Sequence, residues 1–146
     1  MALGGYSKYL NHLIRKYKLE NAIQFVGYLD EAEMIQEYLN CHVFICPSSI
    51  ENSPNSLGEA QLLGTPSIAS YVGGVPDMVS HGNTGLLYRF EEVEMLAQMI
   101  KSIFNSDELA LHISINSIQV AQKRHNRETN VNRTLDIYNT ISTKQG

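Results

Sequence analysis

The chain has 146 residues, 43% of them hydrophobic and 18% charged, with a formal net charge of −4, two Cys and no Trp. At this length a folded chain buries roughly 70% of the surface its unfolded form exposes, so a single domain with a real core needs neither disulfides nor metal. The acidic balance argues against a nucleic-acid binder. No apolar run approaches the ~20 residues of a membrane span, and the first residues lack the charged and apolar segments of a secretory leader.

In chain order, Tyr6, Tyr9, Leu10, Leu13, Ile14 and Tyr17 repeat at the spacing of one helix face and predict a helix over residues 6–18. Residues 22–26, rich in β-formers and closed by Gly27, read as a short buried strand. Asp30 is placed to cap a second helix, with Glu33 in the capping-box position and Met34, Ile35, Tyr38 and Leu39 as the inner face. Residues 42–46 form a second strand ended by Pro47, and Cys41 and Cys46 read as two buried thiols of a reducing compartment. A third helix begins near Asn55 or Ser56 and stops at Gly64, with Pro66 beyond it, and residues 67–70 are a third strand. Pro76 opens a short helical turn, and residues 86–88 are a further strand. The remainder is helical. Val93, Leu96, Ala97, Ile100 and Phe104 form one face, Ser106 and Asp107 restart a helix, and Thr129 caps a last helix carrying Val131, Leu135, Tyr138 and Ile141.

Short apolar strands alternating with helices imply βαβ units and therefore an α/β fold with a doubly wound parallel sheet. Ligands of such sheets sit outside the carboxyl ends of the strands. The stretch with chemistry there is residues 47–60. It is a polar loop containing Glu51 and Pro54, followed by a helix start at Asn55, Ser56 and Leu57, with Glu59 one turn in. Free N–H groups and the positive dipole end of that helix suit a diphosphate. Two carboxylates beside it suit the hydroxyls of a sugar and a ribose. Paired carboxylates also serve glycosidases, but no second acidic loop supports hydrolysis.

Pro47, Ser48, Glu51 and, eight residues on, Glu59 with Ala60 are followed by Gly64, Thr65 and Pro66, then by Gly73, Gly74, Val75 and Pro76, then by Gly82, Asn83, Thr84 and Gly85. These four linked motifs closely resemble the donor-binding half of glycosyltransferase family 4, the group 1 glycosyl transferases, over nearly the whole chain. The resemblance implies one Rossmann-like half of a two-domain retaining transferase, with the acceptor domain and the first two strands of the donor domain lying outside residues 1–146. It implies that Glu51, the catalytic candidate, bonds hydroxyls of the donor sugar and that Glu59 takes the ribose hydroxyls. By the same resemblance, backbone N–H groups of Asn55, Ser56 and Leu57 hold the diphosphate, and Gly27, Tyr28 and Leu29 frame the base. Gly73 and Gly74 match a loop near the sugar, although a turn requiring φ > 0 accounts for the pair equally well. Asn52 and Ser53 depart from the Gly and aromatic residue that many members carry, and Asp77 replaces a more usual Glu. By the same resemblance, the Arg and Lys that neutralise the diphosphate are expected on a segment before residue 1.

The implied donor is a nucleotide-diphosphate-sugar, with no cofactor and, for want of an Asp-x-Asp pair or His at ligand spacing, no metal. The implied acceptor is a carbohydrate or lipid-linked hydroxyl, in polysaccharide or cell-envelope glycan synthesis. A non-catalytic module that needs a separate acceptor-domain chain is the alternative. Residues 1–120 carry 6 basic and 13 acidic side chains, whereas residues 121–146 carry 5 basic and 2 acidic. That basic end reads as a solvated helix face or as a docking face for the acceptor domain or an anionic membrane, the location then being cytoplasmic or peripheral on the inner membrane face. If two strands of the Rossmann order are absent, residues 22–26 are expected to close onto residues 42–46 or to pair with another chain.

Overall fold

The structure is a computed structural model and describes residues 5–143. In chain order the elements are α1 (Gly5–Lys16), α2 (Glu31–Asn40), β1 (Phe44–Cys46), α3 (Asn55–Leu62), β2 (Ser67–Ser70), α4 (Val75–Met78), β3 (Leu86–Tyr88), α5 (Val93–Asn105), α6 (Asp107–Arg124) and α7 (Arg127–Thr143). Packing divides the chain into two compact units, one ending at Glu33 and one starting at Met34.

In the first unit, α1 half-buries Leu10, Leu13 and Ile14 while Tyr9 stays 56% exposed. The predicted strand over residues 22–26 is not formed. Ile23, Phe25 and Val26 are exposed, and the segment joins no ladder, because an apolar run becomes a strand only where a neighbour takes its N–H and C=O groups. The expected closure onto residues 42–46 is likewise not found: β2 is the one strand neighbour of β1 among the described residues. The capping box at the head of α2 is present in reciprocal form, Glu33 N–H donating to Asp30 Oδ1 and Asp30 N–H to Glu33 Oε2, both at 2.9 Å.

The second unit is built on a three-stranded parallel sheet in the order β1-β2-β3, with Cys46 beside Ala69 and Ala69 beside Leu87. Alternation along the strands makes two cores. Cys46, Ala69 and half-buried Leu87 pack with Leu57 of α3 and with Val75, Met78 and Val79, whereas Ile68, Leu86 and Tyr88 pack with Ile103 of α5 and Ile113 of α6. Helices thus cover both faces, as the alternation of elements predicts.

α3 ends in a full Schellman motif. Thr65 N–H reaches Ala60 O at 2.9 Å and Gly64 N–H reaches Gln61 O at 3.2 Å, with Gly64 at φ +77°. Ser106 caps α6, its hydroxyl accepting from Leu109 N–H at 3.1 Å.

Several expectations need correction. The inner face of α5 is Leu96, Met99, Ile100 and Ile103, leaving Val93 and Phe104 exposed: at 3.6 residues per turn the stripe lies slightly off the predicted one. Asn126, not Thr129, caps α7 through its Oδ1, 2.8 Å from Thr129 N–H. Val131, Leu135, Tyr138 and Ile141 are each at least 49% exposed, and α7 buries no residue. Of α2's expected inner face, Tyr38 is buried but Leu39 is exposed. Cys46 is buried while Cys41, in the turn between α2 and β1, is exposed. Among the described residues no helix is long and apolar enough to cross a membrane.

Candidate functional site

The loop between β1 and α3 is fixed from beneath by β2 and from the side by the turn after it. The buried Ser70 hydroxyl donates to the Ser48 carbonyl, tying the start of the loop to the end of β2. Gly73, at φ +50°, sits with its Cα against the carbonyl of Glu51, and Gly74 against the carbonyl of Asn52; a Cβ on either would collide with that backbone. Gly73 needs the left-handed region, and both glycines allow close approach to the loop backbone.

The two acidic residues are each held by a hydroxyl. Glu51 is half-buried, with Ser48 Oγ donating to its Oε2 at 3.3 Å and Asn52 N–H 3.4 Å from its Oε1. Glu59 is exposed on the second turn of α3, and Tyr38 Oη donates to its Oε2 at 3.3 Å. The Tyr38 ring stands edge-on to Phe44 with centroids 5.4 Å apart, and its backbone carbonyl accepts from Thr65 Oγ1 at 2.8 Å. Burial first, and the Glu59 carboxylate second, push the Tyr38 phenol from 10.0 up to about 12.

Pro54 is the N-cap of α3, and no side chain caps the helix. Its carbonyl takes Leu57 N–H at 3.2 Å and Gly58 N–H at 3.3 Å. The N–H groups of Asn55 and Ser56 precede the first acceptor of the helix and carry its positive end, whereas the Leu57 side chain is fully buried and anchors that end in the core. Of the three residues expected to offer N–H groups, Leu57 thus has its own already engaged.

From Gly58 to the turn at Gly64, α3 and its end are fixed at three points. Gln61, fully buried, donates from Nε2 to Met78 O at 3.0 Å and accepts at Oε1 from Arg124 Nη1 at 2.8 Å, while Arg124 Nη2 also reaches Met78 O at 2.8 Å. A Cβ on Gly58 would lie 2.9 Å from His125 Nε2, and one on Gly64 would lie 2.7 Å from Ile118 Cδ1, so α6 and its end lie flush on the helix. Burial lowers the Arg124 pKa, yet its guanidinium stays bonded. Arg124 therefore leaves the basic face expected for the C-terminal stretch and joins the interior.

Glu51, Asn55, Ser56, Leu57, Glu59, Gly73 and Gly74 all belong to the second unit, where Gly73 meets the backbone of Glu51. Gly27, at φ +75°, Tyr28, 94% exposed, and half-buried Leu29 belong to the first unit. Sequence reasoning missed Tyr38 and Ser48 as partners of the two carboxylates. The available signals were that a buried Tyr needs a partner for its hydroxyl, and that Ser48 precedes Glu51 by three residues, the spacing of a local Ser–Glu contact. Among the described residues no three His, Cys, Asp or Glu side chains converge on a metal-sized space.

An uncapped helix start and two carboxylates held by hydroxyls thus lie beyond the carboxyl edge of the parallel sheet, where ligands of such sheets sit. Residues 3–120 match the model of the family described as glycosyl transferases group 1, and the chain belongs to that family. WcaL of Escherichia coli strain K12, a protein named for colanic acid biosynthesis, is 27% identical over 118 residues, which cover 75% of this chain and 29% of WcaL. Among solved structures, sucrose-phosphate synthase from Thermosynechococcus elongatus superposes with a TM-score of 0.85 at 28% identity, covering 97% of this chain and 35% of that one. HepE of Anabaena, solved in complex with UDP-glucose, superposes with a TM-score of 0.83 at 28% identity, covering 97% of this chain and 39% of that one. The chain thus spans between about a quarter and two fifths of the length of these relatives.

Proposed function

We propose that this chain binds the nucleotide-diphosphate-sugar donor of a retaining glycosyltransferase that moves the sugar to a hydroxyl acceptor in polysaccharide or cell-envelope glycan synthesis. The observation that carries the reading is that the bare start of α3 lies in sequence between two hydroxyl-braced carboxylates, Glu51 and Glu59. In this reading Asn55 and Ser56 N–H groups take the diphosphate, Glu59 the ribose, and Glu51 the sugar hydroxyls, with the Gly73–Gly74 turn fixing the backbone of Glu51. The acceptor hydroxyl attacks the anomeric carbon from the face the nucleoside diphosphate leaves. The helix end stabilises the charge that develops on the leaving group. Neutral N–H donors do this without a metal bridge, so no cofactor is invoked. The likeness to a structure holding UDP-glucose supports the donor class, and the likeness to WcaL supports the pathway.

Calorimetric titration of nucleoside diphosphates and their sugars tests this. Glu59→Ala is expected to weaken both by ~10- to 100-fold, and Glu51→Ala to weaken the intact donor more than the bare diphosphate. EDTA is expected to leave binding unchanged. Equal losses for both ligands in both variants would remove the assignment.

A further inference from the structure

We propose that Tyr38 is a positioning residue for nucleotide binding: its hydroxyl fixes the Glu59 carboxylate so that Oε1 faces a ribose diol. This rests on the reading of Glu59 as the ribose contact and adds the group that sets its geometry.

Glu59 is an exposed Glu on a helix, and such a side chain left to itself samples several rotamers. A carboxylate that must accept from two neighbouring hydroxyls gains from being held in advance, because the ordering cost is then met before the ligand arrives. Tyr38 supplies that hold from a fixed base. Its side chain is 5% exposed, its ring is locked edge-on against Phe44, and its backbone carbonyl is tied to Thr65 Oγ1. Its hydroxyl has one proton, and that proton goes to Glu59 Oε2 at 3.3 Å. Oε2 is thereby occupied in part, and Oε1 keeps its full accepting capacity for the ligand.

The arrangement is not a packing accident of a surface Tyr. A Phe at position 38 would fill the same space, so the hydroxyl itself is what needs explaining. Buried Tyr hydroxyls find partners. Here the partner is a solvent-facing carboxylate and not a backbone carbonyl of the core. The raised phenol pKa agrees with a hydroxyl that stays protonated as a donor at every physiological pH.

The test uses residues 1–146 as wild type, Tyr38→Phe, Glu59→Ala and the double variant. Each is titrated with UDP, ADP and GDP, and then with the 2′,3′-dideoxy form of the tightest binder. Tyr38→Phe is expected to weaken the ribonucleotide by about threefold to tenfold and to leave the dideoxy form unchanged. In the Glu59→Ala background the same change is expected to do nothing, because its effect passes through Glu59. Three results would overturn the proposal. Tyr38→Phe could bind the ribonucleotide like wild type, it could weaken both forms alike, or it could cost as much without Glu59 as with it. If Glu59→Ala weakens the ribonucleotide and its dideoxy form by the same factor, or no nucleoside diphosphate binds the wild type, then the reading of Glu59 falls and takes this inference with it. If Glu59→Ala weakens the ribonucleotide alone and Tyr38→Phe weakens neither, only the role of Tyr38 falls.

Discussion

Gly73 lies with its bare Cα against the carbonyl of Glu51, so the turn after β2 sets the backbone of the loop after β1. Neither residue is near the other in sequence, and the contact leaves no room for any side chain at position 73. The carboxylate of Glu51 is thus aimed from two directions, by Ser48 at the side chain and by Gly73 at the main chain.

Gly73→Ala is therefore expected to destabilise the fold by about 1–3 kcal/mol, from a left-handed φ and a forced retreat of residue 51. It is also expected to weaken UDP-glucose more than UDP. Urea unfolding measures the first effect and paired calorimetric titrations the second. Equal weakening of both ligands would mean that the shift reaches the helix start.

Gln61→Leu is expected to cost about 1–3 kcal/mol of stability, because Arg124 then keeps only the Met78 carbonyl as its partner in a half-buried place. Arg124→Met is expected to cost a similar amount. The double variant is expected to cost clearly less than the sum, since it removes both members of one bonded pair. Urea midpoints with unchanged slopes would report this coupling.

The Tyr38 phenol makes alkaline stability pH-dependent. Its pKa rises from 10.0 unfolded to about 12 folded, so the folded state holds the proton more tightly. This contribution is fully present below pH 10, where both states are protonated, and is lost as pH rises towards about 12. Phenolate absorbance, wild type minus Tyr38→Phe, isolates this group among the eight Tyr. Glu59→Gln is expected to lower its midpoint without returning it to 10.0, because burial is the larger cause.

Much of the fold was legible because its signals are local. The Asp30–Glu33 box, the Gly64 stop and the Ser106 cap each rest on chemistry within a few residues, and each is in place. The pairing of Glu51 and Glu59 around a helix start could be read for the same reason. What could not be read depends on partners distant in sequence. Residues 22–26 carry a strand composition, but composition does not supply a neighbouring ladder. Arg124 looks like one more charge on a basic helix until Gln61, sixty-three positions earlier, turns out to be bonded to it. Tyr38 reads as core because its ring is core; only its hydroxyl reaches the exposed Glu59.

α3 and the turn that ends it are clamped from Gly58 to Gly64 by His125, Arg124 and Ile118, while its start has no side-chain cap. A rod held in this way does not swing to meet what arrives. In the loop before it the backbone is braced as well, and what is left open to differently shaped guests is the exposed side chains, Ile50 above all, 91% exposed. The two parts evolve under different rules. Changes in the rod are paid for in folding, while changes in the loop are free to retune which guest is welcomed, so diversity of taste among proteins built on this plan is expected to be written in the loop.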